Sequence, residues 1–208
     1  MRLPYIPNPP PTPTPEEAGI VSRITARRAP RPLQPLDLTL LHSPAIADGW
    51  NAFLGAIRGT TTPSTSLAPL LRELAICRVA VCNGAWYEWA HHAPLAAAAG
   101  LGPAALEVVK TPDLDAFVVR EGEGKEKLEA ARRDGLGETE WAVLKYADEM
   151  TRNVAVRDET FEALRRVCGD REVVEVTATV AAYNCVSRFL VALDVGERNG
   201  TGPDETAH

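Results

Sequence analysis

Residues 72–92 read RELAICRVAVCNGAWYEWAHH, and their apolar spacing predicts two helices that are broken at Asn83-Gly84. Glycine adopts the left-handed backbone that ends a helix, so an Asn-Gly pair between two apolar runs indicates a break. We therefore expect one helix over 67–82 and a second over 85–99, which together form a helical hairpin.

Two carboxylates and an imidazole on this hairpin are the residue types that proton transfer requires. Glu88 and His92 are four residues apart on the second helix, so a carboxylate can orient and charge the imidazole. Glu73 comes from the first helix. Two simpler explanations stay open: a Glu–His pair at this spacing is ordinarily a surface pair worth about 0.2–0.5 kcal/mol, and Glu73 can pair with Arg72 or Arg78 instead.

Helical signals continue on both sides of the hairpin and predict an all-α bundle of about six to eight helices. The flanking helices are predicted over 16–28, 44–57, 138–152, 159–167 and 171–193, with short helices after Pro103 and up to Arg133, and with loops over 59–66 and 121–125. The β-branched segment 173–180 resembles a buried strand, but the 3.6-residue pattern continues past it, so it is assigned to the last helix.

The distribution of proline predicts three parts of the chain. Ten of the 17 prolines fall within the first 35 residues, which predicts an extended N-terminal arm with one short helix over 1–36. The helical domain is expected over 37–195. The polar, glycine-bearing segment 196–208 is expected to be a disordered tail.

Composition excludes several classes of function for this chain of 208 residues. Its 22 Lys and Arg residues against 28 Asp and Glu residues give a formal charge of -6, and no basic cluster stands out, so a nucleic-acid partner is not expected. No secretory signal or apolar run long enough to span a bilayer is apparent, so no membrane partner and a cytoplasmic location are expected. The four cysteines form no CxxC pair and are interpreted as reduced packing residues.

The residues Arg72-Glu73-Leu74, Asn83-Gly84, Tyr87-Glu88-Trp89 and His92 resemble the pattern of the carboxymuconolactone decarboxylase family. That family shares an all-α superfamily with the alkylhydroperoxidase D proteins. The resemblance implies an alkylhydroperoxidase D-like helical bundle with this hairpin at its centre. It also implies a homotrimer or homohexamer.

The peroxidase branch of this superfamily carries two cysteines at positions that correspond to Ala85 and Glu88, ahead of the histidine at His92. Thiol peroxidase chemistry needs one thiolate to attack the peroxide and a second thiol to resolve the product, and this chain has neither at those positions. The chain therefore resembles the decarboxylase branch more closely.

What the decarboxylase resemblance implies is a cofactor-independent carboxy-lyase or isomerase that acts on a small carboxylated lactone or unsaturated oxo acid. His92 is the expected proton carrier, Glu88 the residue that fixes its tautomer, and Glu73 a second acid or base. A metal is not expected, because no HExxH or comparable ligand grouping exists.

Four further residues are expected to bind substrate: Tyr87, Trp89, Arg78 and Arg188. Either arginine can anchor a substrate carboxylate, whereas aromatic residues such as Tyr87 and Trp89 are more often packing residues than substrate platforms. Two other functions stay open: an antioxidant peroxidase like the alkylhydroperoxidase D branch, and a non-catalytic oligomeric scaffold of the same fold.

Overall fold

The computed structural model describes residues 1–59, 65–117 and 123–205, and every regular element in these ranges is helical. The predicted all-α class is confirmed, although ten α-helices are present where six to eight were expected. The helices are α1 (Pro15–Arg28), α2 (Pro35–Leu40), α3 (Pro44–Ile57), α4 (Pro69–Asn83), α5 (Trp86–Ala98), α6 (Pro103–Lys110), α7 (Glu123–Arg133), α8 (Glu138–Asn153), α9 (Asp158–Val167) and α10 (Asp170–Leu193). A 3-10 turn occupies Asp115–Phe117.

Helix α2 is the element that the sequence analysis missed. Proline at a helix start removes only an N–H that would have no intrahelical partner, so Pro35 begins this helix. The Asp37 carboxylate accepts a hydrogen bond from the Gln34 backbone N–H at 2.8 Å and closes a capping box. The loop predicted over 59–66 lies largely outside the described residues. The loop predicted over 121–125 is wrong over 123–125, which form the start of α7, while residues 121 and 122 lie outside the described residues.

By their contacts the residues form two compact units, of which the first comprises 1–65 and 192–198. Helices α1 and α3 pack together, and Arg23 of α1 is bonded through two nitrogens to Asp48 of α3. The proline-rich arm begins in contact with its own chain, since the Met1 amino group lies 3.1 Å from Asp194 Oδ2. The division predicted at residues 36 and 195 stays a prediction.

The second unit comprises 66–191 and 199–208 and is built around α4, which packs against α5, α6 and α8. Residues 74–80 of α4 have no solvent exposure. A helix that is covered on all sides lies at the centre of its unit. Apolar side chains that pack around it include Leu74, Cys77, Ala85, Trp89, Leu101, Val109, Leu136 and Leu144.

Helix α10 is long and apolar enough, by length and composition alone, to cross a membrane. The expectation that no run in the chain has that length is therefore wrong. A core helix of a soluble protein passes the same test, and 44% of the apolar window of α10 is buried inside the protein. Length and hydropathy are consequently weak grounds for a membrane span here.

Candidate active site

The hairpin of α4 and α5 turns at Gly84, as the Asn83-Gly84 pair predicts. Gly84 has φ of 61° and ψ of 28°, a left-handed conformation that favours glycine. The Ala85 N–H bonds to the Ala80 carbonyl at 2.8 Å, and the Gly84 N–H bonds to the Val81 carbonyl at 3.2 Å. These two bonds are a Schellman motif, which ends α4 and turns the chain into α5.

This turn brings Glu73 and His92 into direct contact. His92 Nδ1 lies 2.6 Å from Glu73 Oε2, and the side chains are 8% and 4% exposed, respectively. A carboxylate accepts hydrogen bonds, so Nδ1 carries the proton in this contact and the tautomer follows from the carboxylate. Nε2 is then the nitrogen that can take up and release a proton.

Glu88 lies on the buried face of α5 but does not have the role predicted for it. Its carboxylate accepts the hydrogen bond of the Ser187 hydroxyl, whose oxygen lies 3.0 and 3.1 Å from the two carboxylate oxygens. Glu73, and not Glu88, is therefore the residue that orients the His92 imidazole. The prediction failed because a four-residue spacing places two side chains on one face without deciding which third residue reaches them.

Burial raises the pKa of the Glu88 carboxyl well above its usual range, and the Ser187 hydroxyl opposes that rise only in part. Desolvation penalises the charged form, so the group is held toward its neutral acid form. A neutral carboxylic acid can donate a proton, which an ordinary surface glutamate near pH 7 cannot.

Helix α10 contributes two buried residues that the sequence analysis did not select, Tyr183 and Ser187. The Tyr183 ring meets the His92 ring edge to face, with centroids 5.0 Å apart and planes at 83°. Tyr183 and Ser187 are four residues apart, so both lie on the same face of α10. That spacing was a usable signal, but nothing in the sequence indicated that this face meets α5.

Arg78 does not serve the substrate-binding role predicted for it, because its five N–H donors are all directed to protein acceptors. Its guanidinium bonds to Asp148 through Nε and Nη2 at 2.8 and 2.5 Å. It also donates to the carbonyl groups of Val109, Thr111 and Pro112. The side chain is 0% exposed, so Arg78 is a structural residue that ties α4 to α8 and to the end of α6.

The sequence of residues 44–121 matches the model of the carboxymuconolactone decarboxylase family. This part of the chain is therefore similar to that family. The resemblance read from residues 72–92 is thus confirmed, and the matched segment contains Glu73, Glu88 and His92. No curated protein matches the sequence.

Solved structures show the same fold at low identity. The uncharacterized peroxidase-related protein from Silicibacter sp. TM1040 has a TM-score of 0.65 at 16% identity, with 95% of both chains covered. The alkylhydroperoxidase AhpD core protein from Ralstonia eutropha JMP134 has a TM-score of 0.61 at 18% identity, covering 94% of this chain and 97% of that one. The debrominase Bmp8 in complex with 2,3,4-tribromopyrrole has a TM-score of 0.59 at 16% identity, covering 87% and 84%.

The remaining predicted binding residues differ in burial and contacts. Trp89 is buried in the core, and its indole N–H donates to the Pro203 carbonyl at 3.0 Å, so it packs rather than faces a ligand. Tyr87 is half-buried and its ring stacks on that of His91, with centroids 4.3 Å apart. Arg188, on α10, is exposed and bonds to Asn184; its role stays a prediction.

The cysteines of α4 differ from the reactive thiols of the peroxidase branch. Cys77 is fully buried, and burial raises the pKa of its thiol, with further contributions from Glu73 and Glu88. Burial also raises the pKa of Cys82 to about 12, and its thiol donates to Asp148 Oδ1 at 3.3 Å. A thiol is nucleophilic as its thiolate, so both residues are poorly suited to attack a peroxide.

Two open clefts of about 710 and 600 Å³ lie along α8 and share Asp115, Lys145 and Arg157. Their charges pair with one another, as Lys145 bonds to Asp115 at 2.5 Å and Arg157 to Glu149 at 2.6 Å.

Over the described part of the chain, no group of three or more His, Cys, Asp or Glu side chains is placed to hold a metal. The Glu73–His92 pair with Glu88 is therefore our candidate active site.

Proposed function

We propose that this protein is a cofactor-independent enzyme of the carboxy-lyase or isomerase type. Its substrate would be a small carboxylated lactone or unsaturated oxo acid, and its chemistry a decarboxylation or a proton transfer. The observation that carries the proposal is the 2.6 Å contact between His92 Nδ1 and Glu73 Oε2, which is buried between two helices of one hairpin.

His92 is the proposed proton carrier. The Glu73 carboxylate holds the proton on Nδ1 and favours the imidazolium that forms when Nε2 accepts a second proton. Loss of that proton returns the imidazole to its starting tautomer. The pair can therefore complete a cycle of proton uptake and release with no change in the position of Glu73.

Glu88 is the proposed acid on the same face of α5. Burial raises the pKa of its carboxyl, which favours the neutral form, and a neutral carboxyl can supply a proton to a carbanion. In a decarboxylation, the electrons of the broken carbon–carbon bond move into the conjugated carbonyl as CO2 leaves, and a proton is then delivered to that carbon. In an isomerisation, one proton is removed and another is returned at a different carbon.

The direct test is a screen of lactone carboxylates and unsaturated oxo acids, followed by CO2 release and by ultraviolet absorbance. For any substrate found, His92→Gln should lower kcat by about 100-fold or more, the usual contribution of a positioned acid or base. His91→Gln is the matched control, because His91 is the adjacent histidine and is exposed. Full turnover by folded His92→Gln would contradict the assignment.

The antioxidant alternative predicts a peroxidase activity that requires cysteine. The raised pKa values of the Cys77 and Cys82 thiols weigh against it. Alkylation with N-ethylmaleimide should abolish peroxide reduction if that function is correct. No peroxide reduction by the untreated protein, or peroxide reduction that alkylation leaves unaffected, would eliminate it.

The scaffold alternative predicts that His92 matters for assembly and not for turnover. Sedimentation of wild-type and His92→Gln protein would separate these outcomes, because a catalytic role leaves the oligomeric state unchanged. The proposed homotrimer or homohexamer would be measured in the same experiment.

A further inference from the structure

Arg72 is the cation next to the proposed active site. Its Nε lies 3.4 Å from Glu73 Oε1, while the other oxygen of that carboxylate contacts His92. Glu73 therefore bridges a guanidinium and an imidazole, with one oxygen directed to each. A ligand that binds to the two terminal amino groups of Arg72 would therefore lie beside the Glu73–His92 pair.

The hydrogen bonds of Arg72 leave most of its donors for a ligand. Over residues 1–59, 65–117 and 123–205, the Nε bond to Glu73 is the one hydrogen bond that the Arg72 side chain donates. The two terminal amino groups offer four more N–H donors in a planar fork, the geometry that binds a carboxylate through both oxygens. Arg78, six residues along the same helix, has no such capacity, since all its donors are bound by protein.

Burial distinguishes Arg72 from its neighbours in the site. The Arg72 side chain is 13% exposed, compared with 4% for Glu73 and 8% for His92. It is thus the member of the three with the most solvent contact, yet it is covered enough that a charge-assisted bond is not fully screened by water. Its contact with Glu73 also offsets the carboxylate charge that would repel an anionic ligand.

We infer that Arg72 binds a carboxylate group of the substrate and sets the specificity of the site for acids; this rests on the proposed function. A guanidinium stabilises the bound carboxylate before reaction, and such ground-state stabilisation opposes loss of that same group as CO2. The carboxylate on Arg72 is therefore the one that the reaction leaves intact. A decarboxylation substrate must carry a second carboxylate, whereas one suffices for an isomerisation.

Binding of acetylacrylate, an unsaturated oxo acid, compared with its uncharged methyl ester tests this inference without any turnover. Titration calorimetry should give wild-type protein a Kd for the acid about 10- to 100-fold lower than for the ester, the range of a charge-assisted hydrogen bond. Arg72→Gln should remove that preference, and Arg72→Lys should restore part of it. Arg133→Gln, at an exposed arginine of α7, is the matched control and should bind as wild type does.

Three results would overturn the inference: wild-type protein that binds the acid no better than the ester, folded Arg72→Gln that keeps the preference, or Arg133→Gln that loses it equally. Circular dichroism of each variant verifies the fold. Failure of the proposed function gives a different result from failure of this inference: turnover is absent, but the acid still binds through Arg72.

Discussion

Helix α4 supplies one side of two buried ion pairs that differ in what their charges can do. Arg78 pairs with Asp148 at 2.5 Å and fills its remaining donors with backbone carbonyls. Glu73 pairs with His92 at a similar distance of 2.6 Å. A guanidinium keeps its proton at any working pH, so the first pair is electrostatically fixed.

An imidazole, by contrast, changes its charge between about pH 5 and 8, so the second pair can respond to a reaction. Burial alone therefore does not separate a structural ion pair from a candidate catalytic one. Two other properties separate them. The first is whether one partner can gain or lose a proton, and the second is whether protein acceptors already bind every hydrogen-bond donor of the cation. Arg72 beside Glu73 and Arg78 beside Asp148 differ in the second property.

The largest effect is expected from Arg78→Gln. Removal of one member of a buried pair leaves Asp148 and several carbonyls without their donor, which costs about 3–5 kcal/mol of the free energy of unfolding. Urea denaturation would measure the loss. Arg152→Gln is the control, because Arg152 contacts the same Asp148 oxygen from an exposed position and should cost no more than about 1 kcal/mol. Equal losses of stability in the two variants would show that the Arg78–Asp148 pair contributes no more than the exposed Arg152–Asp148 pair.

Glu73→Gln tests the catalytic side of the comparison. The amide nitrogen can donate to His92 Nδ1, which favours the opposite tautomer and leaves the proton on Nε2. We expect turnover of an identified substrate to fall about 100-fold while the protein remains folded. Steady-state kinetics would be compared with Glu126→Gln, an exposed glutamate of α7. Unchanged kcat would show that the carboxylate only packs against the ring.

Glu175 provides a third carboxylate, which is half-buried and is held ionised. It accepts hydrogen bonds from the Ser66 and Leu67 backbone N–H groups at 2.9 and 2.8 Å, and from Arg171. Desolvation by burial opposes ionisation, but these bonds outweigh it and lower the pKa of Glu175 to about 2. Its stabilisation is therefore complete above the unfolded-state pKa of about 4.5 and is lost as the pH falls toward 2.

Glu175→Gln should accordingly remove about 2 kcal/mol of stability at pH 7. The variant should also lack the part of the acid sensitivity that wild-type protein shows between about pH 5 and 2. Thermal unfolding at several pH values would measure both effects. Parallel pH profiles for the two proteins would mean that the Ser66 and Leu67 contacts do not stabilise the charge.

The smallest effect is expected from Glu88→Gln, because glutamine resembles the neutral acid. A raised pKa means that folding must take up a proton, and this cost grows as the pH rises from the unfolded-state value toward the folded one. The variant does not bear that cost, so its stability relative to wild type should increase as the pH rises above the unfolded-state pKa. A difference that is constant or reversed with pH would contradict a neutral Glu88.

Helices and breaks that depend on local sequence were predicted correctly, whereas side-chain contacts between distant segments were not. The Asn83-Gly84 break and the two helices around it follow from backbone preference and apolar spacing, and both are observed. Helix α2 was missed, although proline at position 35 is well suited to a helix start. Nothing local to Arg78 or Glu88 indicates Asp148 or Ser187, so the roles of these two residues were assigned incorrectly.

The lengths of chain that separate these contacts order them in time. Glu73 and His92 are 19 residues apart, whereas Arg78 and Asp148 are separated by 70 residues and Glu88 and Ser187 by 99. Closing a short loop costs less chain entropy and occurs faster than closing a long one. As the ribosome releases the chain from its N-terminus, the imidazole can meet its carboxylate before Ser187 has been synthesised. The proton-transfer pair therefore needs no residue beyond the hairpin itself, whereas Arg78 and Glu88 have partners on helices that are synthesised later.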